Sequence, residues 1–145
     1  MPPIIILDTN ALLDWHLFRD PAMQPIAAAV AAGAVRWVAC EAMRREWGLV
    51  WPRDCFARWQ PHPETMAAAF EPARFVDRPP RGPMRCKDPE DQVFIDLALA
   101  VGARWLISKD AALLKLARRA RAVGLEIVPA ARWSGLPPPD SAAGC

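Results

Sequence analysis

The chain is poor in the residues that thiolate-metal and histidine-assisted chemistry require. Among 145 residues there are two histidines, His16 and His62, and four cysteines, Cys40, Cys55, Cys86 and Cys145. The cysteines form no Cys-x-x-Cys pair and the histidines lack ligand spacing, so neither a zinc site nor a redox motif is expected. No Ser–His or Cys–His arrangement offers an activated nucleophile. A Gly-rich phosphate loop is also missing, which disfavours nucleoside-triphosphate binding. No apolar run approaches the ~18 residues of a membrane span. Asp8 interrupts the first apolar run and no basic stretch precedes that run, so a secretory signal is not expected and a cytoplasmic chain is. A dominant charge is lacking too: 18 basic against 16 acidic side chains leave a net +2, a weak argument for nucleic acid. The basic set is nevertheless mostly arginine, which suits bidentate phosphate contacts.

What is present is a hydrophobic fraction of 53% on a length that fits one domain. Ile4-Ile5-Ile6-Leu7 is an unbroken β-branched run of the kind found in strands buried on both faces. It ends at Asp8-Thr9-Asn10, where Ala11 opens a helix. Asp20-Pro21 predicts the start of a second helix running to Ala32, with Gly33 as its stop. Val35–Ala39 is the second strand, and the helix after it covers 41–51 before Pro52 ends it. A helix is expected over 64–70, an edge strand at Phe75-Val76 and a mobile loop at 78–83. Asp88-Pro89 precedes the strongest helical pattern, with Val93, Phe94, Leu97, Ala98 and Val101 on one face and Gly102 as stop. A strand over 105–108, a helix from Asp110 to Ala122 and a strand over 125–128 complete the chain. Alternating strands and helices imply right-handed βαβ crossovers and a parallel sheet covered on both faces. The domain is expected over residues 1–136, followed by a disordered tail at 137–145.

Acidic residues fall where this fold class places ligands, at the carboxyl ends of strands. Asp8 ends the first strand and Asp110 follows the strand at 105–108, while Asp88 and Asp91 open the helix leading into that strand. Singly, Asp88 and Asp110 read as helix N-caps, Asp88 with Asp91 as a capping box, and Glu46 and Glu41 as solvated helix positions. Together they are costly: two carboxylates ~4 Å apart repel by about 1–4 kcal/mol depending on the local dielectric. A divalent cation offsets that repulsion, and an all-oxygen ligand set favours Mg²⁺ or Mn²⁺ over Zn²⁺. Such a cation suits phosphoryl chemistry through a metal-activated water.

Four segments in order carry a resemblance. Ile5-Ile6-Leu7-Asp8-Thr9-Asn10, the helix bearing Glu46, Asp88-Pro89-Glu90-Asp91 leading into Phe94–Ala100, and Leu106-Ile107-Ser108-Lys109-Asp110 together resemble the PIN-domain nucleases. The resemblance spans residues 4–133 and is nearest the toxin–antitoxin toxins with an Asp-Pro-x-Asp motif. It implies a three-layer α/β/α domain with a parallel sheet of about five strands. It further implies a Mg²⁺- or Mn²⁺-dependent ribonuclease that leaves a 3′-hydroxyl, with Asp8, Glu46, Asp91 and Asp110 as the acidic quartet. In that reading Asp8, Asp91 and Asp110 hold the metal, Asp88 is an auxiliary acid, and Asn10 and Ser108 orient Asp8 or water. Glu41, at the start of the same helix, stands as the alternative to Glu46. Gln92 departs from the acid that often follows the motif, which weakens the case for a second metal. Many members are homodimers held inactive by a cognate protein antitoxin.

Substrate contacts are expected from the nine basic residues between Arg44 and Lys87, interleaved with Trp47, Trp51 and Trp59. Trp47 and Trp51 read better as core or interface residues, and Arg118, Arg119 and Arg121 as a solvated helix face. An aspartyl-phosphate phosphatase also places an aspartate after its first strand, but it needs a second acid two residues on, where Asn10 stands. A catalytically silent RNA- or protein-binding module and a housekeeping RNA-processing nuclease are the remaining alternatives.

Overall fold

Ile4–Leu7 forms strand β1, and its last three residues are at most 1% exposed. Such complete burial requires neighbours on both edges and both faces. The structure, a computed structural model, describes residues 1–135; the expected tail at 137–145 lies outside the described residues. Four further strands join β1: β2 (Arg36–Cys40), β3 (Arg74–Val76), β4 (Trp105–Ile107) and β5 (Glu126–Val128). All pair in parallel in the order β3-β2-β1-β4-β5. From β1 to β3 the chain moves to one side; it then crosses back past β1 to β4 and continues outward to β5. With right-handed crossovers this reversal puts the helices of the two halves on opposite faces, giving three α/β/α layers.

The helices are α1 (Thr9–His16), α2 (Gln24–Ala31), α3 (Glu41–Val50), α4 (Pro63–Ala67), α5 (Gln92–Ala100), α6 (Ala111–Leu114) and α7 (Ala117–Arg121). Helix α5 buries Phe94, Ile95, Leu97 and Ala98 and packs on β1 and β4. Gly102, with φ +67°, ends it in a conformation that a side chain would strain. Trp37 of β2 is fully buried and stacks on Phe70 at 5.3 Å. Trp47 is core as expected, and its indole N–H donates to Met66 O at 2.7 Å, tying α3 to α4. Among the described residues no helix is long and apolar enough to cross a membrane.

Several boundaries differ from expectation. The helix expected from Asp110 to Ala122 is broken in two. The chain tightens where Leu116 N bonds Leu113 O, three residues back, and this turn seats Leu113, Leu116 and Ala120 together in the core. The helix expected from Pro21 begins instead as a 3₁₀ turn over Pro21–Met23, with α2 restarting where Pro25 occupies its first turn. The helix expected over 64–70 stops at Ala67, after which Phe70 turns inward. The loop expected to be mobile at 78–83 is tethered at its end, where Gly82 N donates to Asp96 Oδ1 at 2.9 Å.

Candidate active site

Strand order reverses between β1 and β4, so their carboxyl ends frame the crevice where parallel sheets bind ligands. Asp8 follows β1 directly, and its N–H reaches Ile107 O of β4 at 3.2 Å. Its Oδ1 accepts from Ala11 N at 2.8 Å and caps α1. At 3% exposure the charged carboxylate is poorly solvated. Burial therefore pushes its pKa from 3.8 up to about 6, against the opposing hydrogen bonds from Ser108 and Ala11 N and with added repulsion from Asp110 and Asp14.

Asp110 follows β4 and caps α6 through Ala112 N at 2.8 Å. Its own N–H is held by the buried Ser108 Oγ at 3.0 Å, so the serine fixes the approach of the chain into this acid. Asp88 begins the 3₁₀ turn Pro89–Asp91, with Oδ1 accepting from Glu90 N at 3.0 Å. The capping box expected with Asp91 is only half made. Asp91 does not reach back; its Oδ2 is buried and has no hydrogen-bond partner. Burial, then the charges of Asp110 and Asp88, push the Asp91 carboxyl up to about 7. From α3, the half-buried Glu46 accepts from Thr9 Oγ1 at 2.9 Å, and burial holds its carboxyl above the usual range.

These residues line one cleft of about 200 Å³: Asp8, Glu46, Asp88, Asp91 and Asp110 meet there, with the exposed Asn10 on the wall. Glu41 lies outside it, exposed and paired with Arg44 at 2.6 Å. Asp88, Asp91 and Asp110 each offer an oxygen, all within 4.8 Å of one another. Oxygens around a single Mg²⁺ or Mn²⁺-sized ion are separated by roughly 3–5 Å, so this triad fits a hard divalent cation, as does the unpartnered Asp91 oxygen. The compact set thus includes Asp88, expected only as an auxiliary, and leaves Asp8 on the wall of the same cleft.

A profile of the PIN domain matches residues 4–112, which span every acid just described. The chain belongs to the PIN-domain family. No curated protein matches it. Among solved structures it is similar to VapBC2 from Rickettsia felis bound to a DNA fragment from their promoter, with a TM-score of 0.58. The two are 13% identical, over 86% of this chain and 98% of that one, so the likeness is one of fold. PIN domains are generally nucleases that use divalent metal ions, and the acidic cleft of this PIN domain is a donor set of that kind.

Sequence reasoning passed over several residues of the site. Thr9 was hidden by its neighbour Asp8, although a hydroxyl beside a strand-end acid is a natural partner for a second carboxylate. Glu90, inside the Asp-Pro-x-Asp motif, also lines the cleft, as do Arg53 and Phe56. The last two are brought there by the 3₁₀ segment Asp54–Trp59, where Phe56 and Trp59 pack on Phe18 at 5.9 and 4.9 Å. Asp14, one turn along α1 from the cleft, is a buried acid paired with Lys109 at 2.7 Å. That lysine sits between Ser108 and Asp110 yet neutralises Asp14.

Proposed function

We propose that this PIN domain is a metal-dependent ribonuclease that hydrolyses RNA phosphodiester bonds and serves as the toxin of a type II toxin–antitoxin pair. The observation that carries the reading is the triad Asp88, Asp91 and Asp110, whose oxygens gather within 4.8 Å around a buried, unpaired Asp91 oxygen. Asp91 and Asp110, with Asp8 and Asp88, would hold Mg²⁺ or Mn²⁺. When bound, the cation supplies phosphate-charge neutralisation and water activation. The rest is done by the chain. Thr9 occupies Glu46 Oε2, leaving Oε1 to receive a proton from the attacking water, a role that its raised pKa favours. Ser108 and the α1 cap fix Asp110 and Asp8, so neither carboxylate must reorganise as charge develops. Asn10, on the cleft wall, is placed to orient water or substrate by hydrogen bonds.

The Asp-Pro-x-Asp motif and the fold likeness to VapBC2 support the toxin assignment. On that reading the partners are an RNA substrate, a protein antitoxin that covers the cleft and a second copy of the chain, acting in the cytoplasm. The test is cleavage of end-labelled single-stranded RNA with and without Mn²⁺, wild type beside Asp8→Asn. Cutting that needs Mn²⁺ and vanishes in the variant is expected. Equal cutting by both proteins would move the chemistry elsewhere, and no cutting together with no thermal stabilisation by Mn²⁺ would leave a non-catalytic binding module.

A further inference from the structure

A second cavity, of about 300 Å³, lies behind the turn that carries Asp88 and Asp91. Arg78 and Arg81 line it; both are exposed, and neither is in an ion pair among the described residues. Beneath them the wall is built rather than loose. Asp96 of α5, 8% exposed, accepts from Gly82 N at 2.9 Å and from Gln92 Nε2 at 2.8 Å through the same Oδ1. Gln92 also donates to Met84 O at 2.8 Å and accepts from Cys86 N at 2.7 Å. Residues 82–86 are thereby fastened to the first turn of α5. The two arginines precede this fastening on a segment whose prolines, Pro79, Pro80 and Pro83, restrict the backbone. A Cβ on Gly82 would come within 3.2 Å of Asp96 Oδ1, so the close approach uses the missing side chain.

The position of this cavity gives it a purpose. Pro89 lines it, while Asp88, Glu90 and Asp91 of the same turn line the acidic cleft. Three residues of 3₁₀ helix rise roughly 6 Å, so the two cavities open on either side of one short turn. A nucleic acid approaching six carboxylates (Asp8, Glu46, Asp88, Glu90, Asp91 and Asp110) is repelled, and a neighbouring pair of uncommitted guanidinium groups offsets that repulsion. Guanidinium also matches phosphate oxygens bidentately. Asp96 lines the same cavity with one negative charge, so the two guanidinium groups still leave its lining net positive. An acidic protein segment would satisfy the same two arginines. The shared wall with the acidic cleft favours the strand being cut.

We infer that Arg78 and Arg81 bind a phosphodiester of the RNA next to the scissile bond, a substrate-positioning site that rests on the ribonuclease reading above. The variant Arg78→Ala/Arg81→Ala is compared with wild type in Mn²⁺-dependent cleavage of a single-stranded RNA. Its KM is expected to rise about tenfold with kcat unchanged, the signature of lost uniform binding. In an Asp8→Asn background, fluorescence anisotropy with the same RNA from about 50 to 200 mM salt should give a slope of log Kd on log salt smaller by about 0.7, the value for the one phosphate that the pair holds. Arg78→Lys/Arg81→Lys should restore the slope, while Arg118→Ala/Arg119→Ala should leave KM and slope unchanged. Melting temperatures equal to wild type separate lost contacts from lost folding. If wild type cleaves RNA and the double alanine variant keeps its KM and slope, the inference is overturned, the ribonuclease reading stands, and an acidic protein segment becomes the occupant to test. If wild type neither cleaves nor binds RNA, both fall together.

Discussion

Asp8 does two jobs with two oxygens. Oδ1 caps α1, and the carboxylate as a whole lends charge to the cleft. Asparagine keeps the cap and loses the charge, whereas alanine loses both, so the two substitutions separate the roles. The carboxyl is pushed up to about 6 in the folded protein, above its unfolded value. A raised acid pKa means that its contribution to stability is complete below about pH 4 and is lost as pH rises through about 6. In metal-free buffer at pH 8, Asp8→Asn should therefore be more stable than wild type by about 2–3 kcal/mol, while inactive. Asp8→Ala should fall about 1 kcal/mol short of it for want of the cap. Urea denaturation in EDTA at pH 8 measures both, and an asparagine variant less stable than wild type would contradict the assignment. His16 acts in the opposite sense. Burial pushes it down to about 4, so its contribution is present above pH 6.5 and lost as pH falls through about 4; taking variant minus wild type removes it. Asp8 and Asp110 were readable in the sequence because they follow strand-like apolar runs, Asp88 and Asp91 because they open a strong helical pattern, and Glu46 only through the family resemblance. Asp14 and Arg53 were not, since Lys109 pairs with the first across 95 positions and an aromatic contact carries the second into place.

Helix α5 and the turn before it form the hinge of the site. Gln92 and Asp96, one helical turn apart and hydrogen-bonded to each other, hold the segment 82–86 by three further hydrogen bonds, and the same turn sets Asp91 into the cleft. Asp96→Ala would leave Gly82 N and one proton of Gln92 without their charged acceptor. A loss of about 1.5–3 kcal/mol is expected by urea denaturation, against a smaller loss for Asp96→Asn, which keeps one carbonyl oxygen. Equal losses for the two would mean that packing rather than the acceptor holds the loop. The helix itself was legible because its 3.6-residue pattern is strong and Gly102 marks its end. Gln92 was legible only as a departure from the family motif, because its work is done with residues six to eight positions upstream. The break between α6 and α7 was not legible either: Lys115 and Leu116 are good helix formers, and the turn there serves burial rather than local preference.

The sheet brings together residues distant along the chain: position 8 after β1, 46 on α3, 88–91 before α5 and 110 after β4. A cation held among them would link both halves of the domain. Mn²⁺ should raise the melting temperature, with roughly 2.7 kcal/mol of stabilisation at a hundredfold excess over Kd. Because Asp8 and Asp91 are pushed up to about 6 and about 7, protons compete with the metal below neutrality. The Mn²⁺-induced shift in differential scanning fluorimetry should therefore be larger at pH 8 than at pH 5.5. A shift independent of pH would place the metal elsewhere. The five parallel strands followed from the alternation of apolar runs and helical patterns. The strand order did not, because it is decided by which edges of β1 remain free once β2 has docked.

Lys109 has one further consequence. It lies in sequence between Ser108 and Asp110, an acid of the cleft, but spends its charge on Asp14, which has 9% of its side chain exposed. The pair is thus invisible from the cleft and necessary to it, since an uncompensated Asp14 would add to the repulsion already felt by Asp8. Over generations the two positions should be inherited as a unit. Descendants of this chain would keep both charges or replace both with neutral residues, and a charge left alone at either position would mark a lineage in which the site is already failing.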